Sequence, residues 1–170
     1  MTNSISKSTL SQSTLLKSTI SKSTISPTLR KRLNIQGLSD VPDETLAALV
    51  PWHRVAYVGC ALLAGIGVAM ASPVILLALA VIAALAALFP VHPFDLIYNY
   101  GIRYLRNTGP LPKRRAPTRF ACGLGAAVLV ATAWAFHAGA LLTGYVLGGQ
   151  LVAVAALVAT TDICIPSIIY

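Results

Sequence analysis

Charge is what this chain has least of. Lys, Arg, Asp and Glu make up 11% of its 170 residues, against about a quarter in soluble domains. Acids are the scarcer sign, five in all, with none before Asp40. With a mean hydropathy of +0.74, this composition excludes an ordinary soluble domain. Cysteine is almost as rare. Three residues, an odd number placed inside or beside apolar segments, exclude a disulfide framework. No apolar run begins before residue 50, so no secretory signal peptide is expected. The close paired Cys/His spacing of a zinc site is missing, as are a Gly-rich phosphate loop after a strand and any Ser/His/Asp motif. No metal and no cofactor are expected.

What the chain does have is two long apolar blocks, residues 55–91 and 120–161. A spanning helix needs roughly 20 apolar residues, so each block is long enough to cross a bilayer twice. The expected fold is all-α and polytopic. Four transmembrane helices, at about residues 51–70, 73–91, 119–138 and 140–161, form two αα-hairpins with two- or three-residue links after Met70 and around Gly139. Each hairpin opens with an arginine, Arg54 or Arg119, and ends with a proline and a tyrosine. The two would therefore be parallel repeats about an axis along the membrane normal. Small residues spaced by four would let the helices approach closely: Ala61, Gly65 and Ala69; Gly123, Ala127, Ala131, Ala135 and Gly139; Ala140, Gly144 and Gly148.

Between the blocks lies HPFDLIYNYGIRYLRNTGPLPKRRAPTRF, residues 92–120. Phe94, Ile97, Tyr98, Ile102 and Leu105 share one helical face and Asp95, Asn99, Arg103 and Arg106 the other, which predicts an interfacial amphipathic helix over about 93–106. Pro93 takes its first position and Asp95 the first turn, where an acid suits the helix dipole. Arg30, Lys31, Arg32 and Arg54 precede the first span, and Arg103, Arg106, Lys113, Arg114, Arg115 and Arg119 separate the second from the third. The outer links carry no Lys or Arg. The positive-inside rule then puts both termini and the central segment in the cytoplasm. The net charge of +8 sits beside the apolar blocks and in the N-terminal tail, where it meets anionic lipid. A bilayer, not nucleic acid, is the expected partner.

Residues 1–27 are Ser/Thr/Lys-rich and repeat with a period of five: STLSQ, STLLK, STISK, STISP. A period of five matches neither helix nor strand. The pattern resembles the pentapeptide repeats of square β-helices, but four repeats make one coil, which buries no core. A disordered tail is expected, with a targeting segment as the sharper alternative. Residues 28–50 read as basic and acidic juxtamembrane short helices, one opened by Ser26-Pro27 and stopped at Gly37, the next opened by Pro42-Asp43-Glu44. The first is either a membrane-surface helix or a solvated basic linker.

Charges are absent from the centre of every expected span, which counts against an ion channel or proton pump. Gln150 is the one strongly polar mid-span side chain, expected to hydrogen-bond a neighbouring helix or to contact a solute. On the cytoplasmic side, topology gathers Cys164, His92 and Asp95, with Cys60 and Cys122 in the spans. A lone Cys near His and a helix end can have a lowered pKa and act as a nucleophile, whereas membrane helices also use Cys as a small apolar filler. Cys164-Ile165-Pro166-Ser167 has the form CxxS, a dithiol motif with its second sulfur replaced by a hydroxyl.

Arg119-Phe120, the segment HPFDLIYNYGIRYL and the cysteine ending the last span resemble a family of small four-span bacterial integral-membrane proteins of unknown function. The resemblance covers roughly residues 50–170. It implies a bacterial inner-membrane location and a CxxC near the end of the last span, and some members are encoded near thioredoxin-like or sulfurtransferase proteins. Only Cys164 carries over, because Ser167 stands where the family's second cysteine would be. Three readings follow. The first is a non-enzymatic scaffold that docks a partner, or lipid head groups, through Arg103, Arg106, Lys113, Arg114 and Arg115. The second is a thiol relay through Cys164, with His92 and Asp95 nearby and a thioredoxin-like partner implied by the resemblance. The third is a small-solute transporter using Gln150.

Overall fold

A computed structural model of the chain describes residues 25–106 and 109–170, except for the Arg106 side chain. The repeats before residue 25 lie outside them. The described residues are all-α: α1 (Pro27–Ile35), α2 (Asp43–Ala69), α3 (Pro73–Leu88), α4 (Pro93–Ile97), a π-helical turn (Tyr98–Ile102), α5 (Arg103–Arg106), α6 (Ala116–His137), α7 (Leu141–Thr161) and α8 (Ile165–Ile169).

Their starts follow from capping chemistry. Ser26 accepts from the Leu29 N–H at 3.3 Å and Ser72 from the Ile75 N–H at 3.5 Å, each followed by a proline at the first helical position. Two turns close by backbone bonds that reach back around a left-handed residue. Ser72 N–H donates to the Gly67 carbonyl around Ala71, and Ala140 N–H to the Ala135 carbonyl around Gly139.

α2 corrects the expected boundary at residue 51. It runs unbroken through Pro51, so the acidic start at Asp43 and the apolar span are one helix of 27 residues. Proline removes one backbone bond, but Leu46, Leu49, Val50, His53 and Ala56 are all buried and hold the helix together across it. His53, two residues past this proline, is buried. α3 stops at Leu88, short of the expected 91. Phe89 precedes Pro90, and the residue before a proline is driven to extended backbone, here with ψ of 149°. The expected interfacial helix follows, interrupted by the π-helical turn that contains Gly101.

α2, α6 and α7 are long and apolar enough to cross a membrane, and α3 reaches that standard only together with the segment Pro93–Leu105, from which it is bent by 80°. The main core joins Ala64 of α2, Leu76, Leu79, Ala80 and Ala83 of α3, and Leu129, Ala133 and Phe136 of α6, with Leu151 and Val152 of α7 against it. The stripes of small residues are partly re-registered. Gly144 faces the Phe136 ring, and Gly148 faces Val68 and Thr132, as the GxxxG spacing predicts. In α2, by contrast, Ala56, Ala64 and Gly67 are the buried small residues, and Gly65 faces open space. Of the stripe expected along α6, Ala127, Ala131 and, just past the helix, Gly139 are exposed, whereas Ala135 is buried beside Leu129, Thr132, Ala133 and Phe136. Arg119 closes the end of α3, donating to the Ala87 and Leu88 carbonyls at 2.8 and 2.7 Å.

A second, smaller core lies apart from the bundle. Leu33 and Leu38 pack on Leu46 and Val50 of α2, with Ile25, Leu29 and Val41 around them. Arg30 ties this unit together, donating to the Ser39 and Val41 carbonyls at 2.9 and 2.8 Å and pairing with Asp43 at 3.2 Å.

Candidate functional site

The start of α4 organises one end of the bundle. His92 is its N-cap, with Nδ1 accepting from the Phe94 N–H at 3.3 Å. An Nδ1 that accepts puts the ring proton on Nε2. Nε2 lies 3.9 Å from the Cys60 sulfur, so His92 is placed to donate to that thiol, not to take its proton.

Asp95 is not merely a helix-start acid. It is buried and receives two hydrogen bonds from Arg114, from Nε at 2.7 Å and from Nη2 at 2.9 Å, a bidentate pair shielded from water. The Arg114 guanidinium lies 5.2 Å from the centre of the Tyr57 ring. Burial pulls the pKa of Arg114 down, but Tyr57 and the Asp95 carboxylate more than reverse that, and the net direction is up. Arg114 is thus removed from the cations expected to meet lipid head groups. Arg115 pairs with Asp40 at the surface, where Ser39 first and Arg115 second hold the Asp40 carboxyl below its ordinary value. Lys113 is exposed, and Arg103 lies 4.9 Å over the Tyr104 ring.

Gln36, just past α1, links three parts of the chain. Its Oε1 accepts from the Tyr57 hydroxyl at 3.2 Å, its Nε2 donates to the Asp162 carbonyl at 2.8 Å, and its own carbonyl accepts from Thr118 Oγ1 at 2.7 Å. Asp162 ends α7 in left-handed conformation, with φ of 56°. Its carboxylate is held by Arg54, through Nε at 2.9 Å and through Nη2. Arg32 donates to the Thr161 carbonyl at 2.7 Å. Beyond this turn Cys164 is buried at the N-cap of α8, and the Ser167 hydroxyl of the CxxS motif donates to the Pro117 carbonyl at 3.3 Å.

These elements enclose a cavity of about 320 Å³. Cys60 from α2, Cys122 from α6, Cys164 from the turn before α8, and His92 all line it, with Tyr57, Thr118 and Gln150 among mostly aliphatic neighbours. All three cysteines are free, and Cys122 lies within electrostatic range of both of the others. Among the described residues no group of three or more His, Cys, Asp or Glu side chains is arranged to hold a metal ion.

Of the residues singled out from sequence, Cys164, His92, Cys60, Cys122 and Gln150 line the cavity. Asp95 is consumed by its ion pair. Gln150 is exposed along the cavity lining, and no side-chain hydrogen bond ties it to a neighbouring helix among the described residues. Sequence reasoning missed Gln36, Tyr57, Thr118 and the pairing of Arg54 with Asp162. A usable signal existed for the ion pairs. With so few acids in the chain, Asp95 and Asp162 at the edges of apolar blocks each call for a cation when buried.

A profile described as Domain of unknown function (DUF4395) matches residues 50–170. No curated protein and no solved structure matches the chain.

Proposed function

The chain belongs to the DUF4395 family, and from its cavity we propose that it is a four-span membrane protein that relays electrons by thiol–disulfide exchange. Its basic end and both termini face the cytoplasm by the positive-inside rule, and the exposed apolar residues of α2, α3, α6 and α7 contact lipid. One observation carries the reading: all three cysteines of the chain, from three separate elements, line one cavity together with His92. Cysteines serving as small fillers have no reason to converge.

In the exchange, two cavity sulfurs share a disulfide. One thiolate of a partner's dithiol attacks one of them and displaces the other as thiolate, and the partner's second thiol resolves the mixed disulfide. Two electrons and two protons pass to the cavity pair, and the partner leaves as a disulfide. The reverse exchange with another partner's disulfide restores the starting state. Cys164, in the turn between α7 and α8, lies outside the long apolar helices and is the sulfur a protein partner would meet once it is uncovered. The partner class is a thioredoxin-like dithiol protein.

The scaffold reading is weaker, because two of the five cations it relied on, Arg114 and Arg115, are committed to Asp95 and Asp40. The relay is tested on purified protein in lipid nanodiscs. After treatment with diamide, thiols are counted by maleimide mass labelling in denaturant. Two of three labels are expected to disappear and to return on incubation with reduced thioredoxin, with the loss abolished by serine at either participating cysteine. Retention of all three labels after oxidation overturns the relay.

A further inference from the structure

The small core around Leu33 has a second meaning. Its buried members, Leu33, Leu38, Leu46 and Val50, all come from residues 25–50, so this unit holds its own shape apart from the bundle. The family match begins where the unit ends, at residue 50. There the helix that joins the two is one backbone bond short, because Pro51 has no N–H to donate.

The unit meets the residues that line the cavity through Gln36, by its side chain and its main-chain carbonyl. Gln36 is 2% exposed and bonds to Tyr57 and Thr118, both of which line the cavity, and to the carbonyl of Asp162, two residues before Cys164. Arg32 adds a bond to the Thr161 carbonyl, and on the outer side the exposed pair of Asp40 with Arg115 closes the edge. Separation is also resisted by Leu49, which packs on Tyr98 and Leu111, and by the close approach of Gly37 to Arg115.

We propose that residues 25–50 form a lid over the polar end of the cavity, with Gln36 as its latch. In the closed state described here Cys164 is 5% exposed, and a protein or aqueous partner reaches it only after Gln36 releases Tyr57, Thr118 and Asp162. A lid of this kind keeps the thiols from indiscriminate oxidation and lets a partner that binds the cap set the moment of access. The inference concerns access to Cys164 and holds whether or not the cysteines exchange disulfides.

The test uses the full chain in nanodiscs with Cys60→Ser and Cys122→Ser, leaving Cys164 as the sole thiol. The readouts are its labelling rate with a water-soluble maleimide and amide hydrogen exchange along the chain. Thr118→Val removes one latch bond from the bundle side and is expected to speed labelling about tenfold, as one hydrogen bond does to an opening equilibrium. Gln36→Ala removes the two bonds made by the latch side chain, to Tyr57 and to the Asp162 carbonyl, and is expected to speed it further, while the Thr118 bond to the main-chain carbonyl of residue 36 remains. In both variants exchange in α6 and α7 stays at the parent level. A rate unchanged in Thr118→Val overturns the lid, as does faster labelling that comes with faster exchange throughout α6 and α7, which marks a loosened bundle. The relay is read separately, from the disulfide formed in the chain with all three cysteines, so either idea can fail while the other stands.

Discussion

Asp95 and Arg114 show how much a single side chain depends on its partner in this fold. Both are nearly inaccessible, at 4% and 1% side-chain exposure. Removing one partner of such a pair leaves an uncompensated buried charge, which costs about 3–5 kcal/mol. Asp95→Ala is therefore expected to destabilise the protein by about that amount in detergent-micelle unfolding, and the double variant with Arg114→Met to recover most of it. A double variant no more stable than Asp95→Ala means the carboxylate matters for the start of α4, not for the pair. At this scale the sequence is legible where a residue's role is local. His92 before Pro93 and Asp95 in a first turn are readable from spacing alone. Gln36, Tyr57 and Thr118 are not, because their bonds join positions up to 126 residues apart and nothing in the local sequence marks them.

Helices are the best-read level, and their faces the worst. Serine followed by proline marks the starts of α1 and α3, and Gly139 marks the turn before α7, because caps and left-handed turns need particular residue types. The outward-facing alanines of α6 were misread because in an apolar helix small residues face lipid as readily as a neighbour, and periodicity alone does not choose between them. The structure does choose among the glycines. A Cβ at Gly148 would overlap Val68 and crowd Thr132, whereas at Gly65 and Gly149 it meets nothing within 4 Å. Gly148→Leu is expected to cost about 1–3 kcal/mol by overpacking. Gly65→Ala and Gly149→Ala are expected to be neutral or to gain up to about 1 kcal/mol from helix propensity. Thermal unfolding of the three variants checks the contrast, and equal losses in all three would mean that α7 does not pack as described.

Over the whole molecule, charge and hydropathy set the architecture, and the acids then decide which cations stay free. Arg30, Arg54, Arg114 and Arg115 each have a carboxylate partner, so the basic end is less cationic at its surface than its count suggests. Orientation is expected to survive this, since the bias follows Lys and Arg and acids contribute little. Reporters inserted in the loop after Arg106 and fused after Tyr170 are expected to give the same compartment, the cytoplasm. Opposite compartments would mean an odd number of crossings between the two reporters, with one of α6 and α7 failing to span.

That bend also bears on where such a protein can reside. With 16 residues, α3 is about 24 Å long at 1.5 Å per residue, several ångströms less than a typical hydrocarbon layer of about 30 Å. Spanning by α3 alone draws the two leaflets together around it, and the energetic penalty grows with acyl-chain length. For a chain in which α3 spans alone, short-chain or fluid lipids are expected to relieve this strain and long saturated ones to add to it.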